Sequence, residues 1–237
     1  MPYTYDYTSA TTGNESASAR YWRAVKMALT RCVRDKTFRF NGRVYEYLYH
    51  PYNRTWKNER GVEIPIFRDL LRQHEGKRVL EVGNVLSHYF PVQHEVVDKY
   101  EVSPGVINKD IIDLVPQQPY DLIVSISTLE HVGWDEQPRE PTKLLRVIEH
   151  LRSRCLAPSG LLVASLPIGY NQYFDGLLNS GRSPFTIQHC LKRISKQNYW
   201  IESDWEQCRD VPYGRFVAHA IVIGTITYEP DNGSCHQ

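Results

Sequence analysis

Two apolar runs of strand character, residues 121–126 and 160–166, flank a stretch, 141–155, in which Leu144, Leu145, Ile148 and Leu151 recur at helical spacing. A strand, a helix and a second strand in that order close as a right-handed crossover between parallel neighbours. The chain is thereby constrained to an α/β sheet. The same alternation begins at Glu63, where Ile64, Phe67, Leu70 and Leu71 form an apolar helix face that Gly76 can terminate. Further strands are predicted over 78–82, 95–98, 106–108 and 216–227, and a further helix over 186–194.

Upstream, Trp22, Val25, Leu29, Cys32 and Val33 recur at helical spacing, and Asn41-Gly42 separates two runs that alternate apolar and polar residues. This predicts a helix and then a hairpin with a type I′ turn, which either covers a site or extends the sheet. Residues 1–62 read as an amino-terminal extension, with an expected mobile arm over its first sixteen residues, and 63–237 as the main domain. At 237 residues and 41% hydrophobic content there is material for one sizeable core.

The 28 basic and 27 acidic residues give a net charge of +1 and form no block of one sign, so no nucleic-acid partner is expected. No run approaches the ~20 apolar residues of a bilayer span, and no signal-peptide core is visible, so a cytoplasmic protein without a membrane partner is expected. A homodimer is allowed. Five scattered cysteines without a C-x-x-C pair, Cys32, Cys155, Cys190, Cys208 and Cys235, read as free thiols. The N-x-S/T matches at Asn14, Asn53 and Asn232 carry no weight in a chain with no predicted route to secretion.

The chemistry concentrates at strand ends. Arg78-Val79-Leu80-Glu81-Val82-Gly83 runs a buried-strand pattern into a carboxylate and a glycine, and ligands of open α/β sheets bind at such carboxyl ends. Val96-Val97-Asp98 ends a second strand in a carboxylate, and Glu101 follows at about the 20-residue distance that suits ribose hydroxyls. Asn108-Lys109-Asp110-Ile111 ends a third, where a carboxylate can accept from an exocyclic amine. A fourth enters Ser127-Thr128-Leu129-Glu130-His131-Val132-Gly133.

Across about residues 63–227 the chain resembles the class I S-adenosylmethionine-dependent methyltransferase superfamily, with V-L-E-V-G, V-V-D, K-D-I-I-D-L, Y-D-L-I-V-S-I-S-T-L-E-H-V and L-A-P-S-G-L-L-V-A-S-L-P in the family's order. The resemblance implies a Rossmann-like, doubly wound, mostly parallel sheet with an antiparallel last strand, preceded here by the helix and hairpin extension. It implies S-adenosylmethionine as cofactor, its methionine end near Glu81, Gly83 and Asn84, with Ser127 lining that side. The ribose falls at Asp98 or Glu101 and the adenine at Asp110 and Ile111.

The family's glycine-rich loop is only partly present, because Asn84-Val85-Leu86-Ser87 supplies neither a second nor a third glycine. His88 and Tyr89 are positioned to replace the missing pocket wall, His88 as a substrate contact. Between Asp98 and Asp110 there is scarcely room for a helical crossover. His131 is the candidate general base, with Glu130 to orient it. Some family members bind a metal through such a Glu-His pair, but they carry a further glutamate where this chain has Ser127, so no metal is expected. Tyr170 and Asn171, after the fifth strand, are candidate contacts to a small-molecule acceptor, a sugar or aromatic metabolite among the options, methylated at oxygen or nitrogen. The competing readings are a methyltransferase-like binding protein without turnover and a nicotinamide-dependent oxidoreductase, the latter disfavoured by the absence of G-x-G-x-x-G after the first strand.

Overall fold

The computed structural model describes residues 16–33 and 36–227. Most of the amino-terminal arm, Asn14, Asn232, Cys235 and the side chain of Cys32 lie outside the described residues. In chain order the elements are α1 (Ala17–Val33), β1 (Thr37–Phe40), β2 (Arg43–Glu46), α2 (Arg60–Gln73), β3 (Val79–Val82), β4 (Glu95–Asp98), β5 (Val106–Asn108) and β6 (Tyr120–Ile126). They continue with α3 (Lys143–His150), prolonged by a π-helical turn (Leu151–Cys155), β7 (Leu156–Pro167), α4 (Gln172–Asn179), β8 (Ile187–Arg193), β9 (Trp200–Ser203), α5 (Trp205–Cys208) and β10 (Ala220–Thr227).

Eight strands form one sheet in the order β5-β4-β3-β6-β7-β10-β8-β9. The five strands from β5 to β7 are mutually parallel, whereas β10 runs antiparallel to both β7 and β8. The chain winds outward from β3 through β4 to β5, then returns to the other side of β3 to lay down β6. The order therefore reverses between β3 and β6, and the carboxyl ends of these two strands flank the crevice where such sheets receive ligands. β5 lies parallel to β4 although the link between them contains no helix.

Strand alternation divides the core. Leu80, Ile123, Leu162 and Val222 pack with α3 and α4 on one face, while Leu122, Val124, Val163 and Ile221 pack on the other with Val62, Ile64 and Phe67 of α2. The hairpin forms its own two-stranded sheet and adds Phe38 and Phe40 to the second face. Its turn is type I′ as the sequence predicts, with Asn41 at φ 45° and Gly42 at φ 73°. Pro65, inside α2, cannot donate to the Gly61 carbonyl one turn back. That carbonyl instead accepts from Leu48 N at 3.0 Å, which ties the exit of the hairpin to the helix.

One expectation needs correction. The helix predicted over 186–194 is strand β8: Ile187, Cys190, Leu191 and Ile194 mimic helical spacing, but Ile187 and Ile194 are exposed, and Cys190 and Leu191 enter opposite faces of the sheet. α2 spans positions 62 and 63, and its first turn is buried. Residues 172–179, for which the sequence pattern predicts no element, form α4, capped by the Asn171 side chain.

Candidate active site

Gly83 follows β3 with φ +87°, the left-handed region that favours glycine, and a Cβ there would fall 2.3–2.8 Å from the Thr128 side chain. This close approach sets the loop after β3 against the turn after β6, so two of the sequence-predicted groups meet at the reversal of strand order.

The loop that follows is held by carboxylates rather than by further glycines. Glu81, fully buried, accepts from Val85 N and Leu86 N at 2.9 and 2.8 Å, and its other oxygen pairs with His94 Nε2 at 2.8 Å. Asp98 accepts from Asn84 N at 3.0 Å and from Tyr100 N and Glu101 N at 2.8 Å. Both side chains therefore shape the loop with all their oxygens. Glu101 differs: 29% exposed, it accepts from Asn84 Nδ2 at 2.6 Å and faces His88 Nε2 at 3.3 Å. His88 stacks on Tyr52 at 4.6 Å, so it stands at the Glu101 end of the crevice, with a segment of the amino-terminal extension over it.

Asp110 does not wait for an amine. Its Oδ2 is held by Lys143 Nζ at 2.5 Å and Lys99 Nζ at 2.9 Å, and its Oδ1 caps the turn Ile111–Asp113 through Ile112 N. Burial works to raise its pKa, but the two lysines outweigh it and hold the carboxyl below the usual range. Glu136 shares both lysines and is held low in the same way. Ile111 is buried in the core beside them.

After β6, Ser127 adopts φ +40° and donates its hydroxyl to Glu63 Oε1 at 2.6 Å. Ser165, near the end of β7, donates to the same oxygen at 2.8 Å, and Arg60 Nη1 pairs with Glu63 Oε2 at 2.6 Å. Glu63 of α2, fully buried, thus gathers the ends of two parallel strands. Glu59, one turn back, accepts from Ala218 N at 2.9 Å, and its pKa is pushed up to about 7 by burial and by the charge of Glu63.

Beyond Ser127 the turn presents Glu130 and His131. Glu130 is 1% exposed, its Oε2 is buried with no hydrogen-bond partner, and burial pushes its pKa up to about 7 despite the adjacent His131. His131 Nε2 lies 3.7 Å from Glu130 Oε1, whereas Nδ1 is bound by Asp135 Oδ2 and lies 3.0 Å from the Tyr170 hydroxyl. That hydroxyl donates to Asp135 at 2.6 Å. Burial works to lower the His131 pKa, but the Asp135 hydrogen bond and the charges of Glu130 and Asp135 outweigh it and raise it.

Asn171 is fully buried and spends its amide on the backbone: Nδ2 donates to Glu130 O at 2.8 Å, and Oδ1 accepts from Phe174 N at 3.1 Å. It anchors the turn instead of reaching an acceptor. Tyr170 remains beside His131, edge-on at 4.9 Å, with Tyr213 behind it at 5.0 Å.

Glu59, Arg60, Asp135 and the contacts of Glu63 do not stand out in the sequence pattern. Asp135 alone left a signal, four residues after His131 and thus a neighbour in any helical turn. Among the described residues, no group of three or more His, Cys, Asp or Glu is disposed to hold a metal ion. No helix among them is long and apolar enough to cross a membrane.

No family model matches the chain, and neither does any curated protein. Solved structures similar to it include the N-methyltransferase NodS of Bradyrhizobium japonicum with S-adenosylhomocysteine, at 13% identity over 77% of this chain and 98% of that one, TM-score 0.41. Another is the Burkholderia thailandensis 1,6-didemethyltoxoflavin N1-methyltransferase with 1,6-didemethyltoxoflavin and S-adenosylhomocysteine, at 14% identity over 92% and 94% of the chains, TM-score 0.42. The sugar N-methyltransferase KedS8 of Streptoalloteichus matches at 13% identity over 84% and 85%, TM-score 0.36.

Proposed function

We propose that the chain transfers a methyl group from S-adenosylmethionine to an oxygen or nitrogen of a small-molecule acceptor. The observation that carries this reading is the contact of Gly83 with Thr128, which joins the carboxylate-lined loop after β3 to the turn bearing Glu130 and His131. The residues fit the cofactor. Glu101 is the strand-end carboxylate with an exposed edge, suited to accept from a ribose diol, and Asn84 and His88 hold it in place. Glu81 and Asp98 serve the same pocket by fixing the backbone around it.

The bound cofactor supplies an electrophilic methyl group on a sulfonium, so the protein's task is alignment and, for a protonated acceptor, removal of a proton. His131 suits that task. With Nδ1 committed to Asp135, the neutral imidazole leaves Nε2 free of its proton and able to accept one from the acceptor. Asp135 orients the ring and stabilises its cationic form. Glu130, titrating near neutrality next to Nε2, can receive charge or proton from His131 without contact with bulk water. Asp110 keeps Lys99 and Lys143 neutralised at the end assigned to the adenine, and Ser127, bound to Glu63, fixes the wall between the methionine end and the acceptor.

The test is product formation. Incubation with S-adenosylmethionine and a panel of small amines, sugars and phenols, read by mass spectrometry, should yield S-adenosylhomocysteine together with a methylated acceptor. Binding of the cofactor without turnover on any acceptor would favour the non-catalytic reading.

A further inference from the structure

Strand alternation gathers a polar cluster at the antiparallel end of the sheet. Cys190 and Lys192 of β8, two residues apart, point to one face, and Ser203 of β9 stands opposite Cys190 across the ladder, so all three share that face. Two of them reach α5, the short helix that follows β9. Lys192 Nζ donates to Gln207 O at 2.8 Å, and Ser203 Oγ donates to Gln207 Oε1 at 2.9 Å. The next residue is Cys208, which these bonds set down on Cys190. Both cysteines are free, and their thiols are hydrogen-bonded to each other, Cys208 also to Ser203. Cys190 is 4% and Cys208 0% exposed, on the same face of the core. Cys155, equally buried, lies elsewhere, its Sγ 4.0 Å from Leu114 O.

The pair is asymmetric. The hydrogen bond from Cys190, the Ser203 contact and the charge of Lys192 outweigh burial and hold the Cys208 thiol below its ordinary range, while the same hydrogen bond and burial push the Cys190 thiol up. One sulfur is thus suited to attack and the other to resolve. Cys208 also lies close to water along the chain: Glu206, Gln207, Arg209 and Asp210 around it are exposed, and α5 is only four residues long. A single helical turn opens at little cost, which admits a small oxidant.

We propose that Cys190 and Cys208 form a redox-active dithiol that hydrogen peroxide converts to a disulfide. The Cys208 thiolate, its proton released to solvent, attacks a peroxide oxygen. The O–O bond breaks, and the departing hydroxide takes the Cys190 proton, leaving a sulfenic acid on Cys208 and a thiolate on Cys190. Cys190 then attacks the Cys208 sulfur, the S–O bond breaks, and the second hydroxide recovers the solvent proton. Two thiols give up two electrons and two protons, and one peroxide becomes two waters. The bond fixes the start of the segment that follows, where Val211 N donates to Cys208 O at 3.0 Å. That segment lies so close to Gly169 that a Cβ there would fall 2.6 Å from Tyr213 N and 2.8 Å from Val211 O, and the Tyr213 ring backs Tyr170. Oxidation therefore clamps the wall behind Tyr170 to the sheet. The chemistry of the pair does not depend on the methyl-transfer reading.

The test treats the folded full chain with excess hydrogen peroxide, alkylates the remaining thiols under denaturing conditions and maps the peptides by mass spectrometry without reductant. A peptide pair linked through Cys190 and Cys208 is expected, two hydrogens lighter than the free peptides and split by dithiothreitol, with Cys155 still alkylated. The cross-linked protein should melt higher than the reduced one, and dithiothreitol should restore the original melting temperature. In Cys190→Ser, dimedone should trap sulfenic acid at Cys208. Absence of the linked peptide, oxidation of Cys155 as fast as of Cys208, or a cross-link that leaves the melting temperature unchanged would overturn the proposal. The wild-type peptide map decides it even where the variant does not fold.

Discussion

Replacing Glu130 by Gln removes a carboxyl that is 1% exposed and whose Oε2 meets no donor, and it keeps nearly the same shape. Burial lifts this carboxyl from 4.5 to about 7. At about 1.4 kcal/mol per pH unit, ionising it in the folded protein costs roughly 3 kcal/mol more than in the unfolded chain. The folded pKa is the raised one, so the stabilisation is complete below the unfolded value of 4.5 and is lost as pH rises through about 7. Glutamine has no such loss. Glu59, lifted in the same way, is present in both proteins and largely cancels in the comparison. Wild type and Glu130→Gln should therefore melt at nearly the same temperature at pH 5. At pH 8 the variant should melt higher, by roughly 5–10 °C for a chain of this size. Circular-dichroism melts at the two pH values decide it. Equal differences at both pH values, or a variant less stable at pH 8 than at pH 5 relative to wild type, would show that Glu130 does not titrate with a raised pKa in the folded protein.

Other outcomes follow from the same geometry. His131→Asn should lower turnover by about 10²–10⁴ and leave S-adenosylhomocysteine affinity unchanged. In wild type, turnover should climb as pH rises through the His131 pKa, above 6.5, because the base must first lose its proton; unaltered kinetics in the variant would remove His131 from the mechanism. Asp98→Ala strands the Asn84, Tyr100 and Glu101 amides, so it should weaken cofactor binding and lower the melting temperature together. Glu101→Gln should weaken binding by about tenfold with the melting temperature kept, and paired calorimetry and melts separate the two. Gly83→Ala forces a Cβ into Thr128 at positive φ and should abolish cofactor binding, as measured by titration of the folded variant.

Much of the sheet is legible because its parallel strands read as apolar runs, two of which, β3 and β4, carry a carboxylate at or beside their last residue. β4 and β5 fall where the alternation predicts them, and the glycine turn follows from Glu81-Val82-Gly83 alone. The helical spacing of Ile187, Cys190, Leu191 and Ile194 conceals β8, because only Cys190 and Leu191 are buried, on opposite faces of the sheet, and pairing with β10 fixes the strand. The roles of Glu81, Asp98 and Asp110 were half visible: a strand-end carboxylate is evident in sequence, but whether it faces a ligand or caps its own loop depends on backbone geometry. Glu63 was invisible as a site residue. It stands 64 and 102 residues from Ser127 and Ser165, and a glutamate in the first turn of a helix reads as solvated until the sheet closes over it.

The crevice between β3 and β6 is proposed to bind S-adenosylmethionine. Isothermal titration of the folded protein with S-adenosylmethionine and S-adenosylhomocysteine, with reduced nicotinamide dinucleotide as control, tests it directly. Micromolar binding of the first two and none of the control is expected. Absence of binding in a folded sample, or binding of the nicotinamide instead, would contradict it.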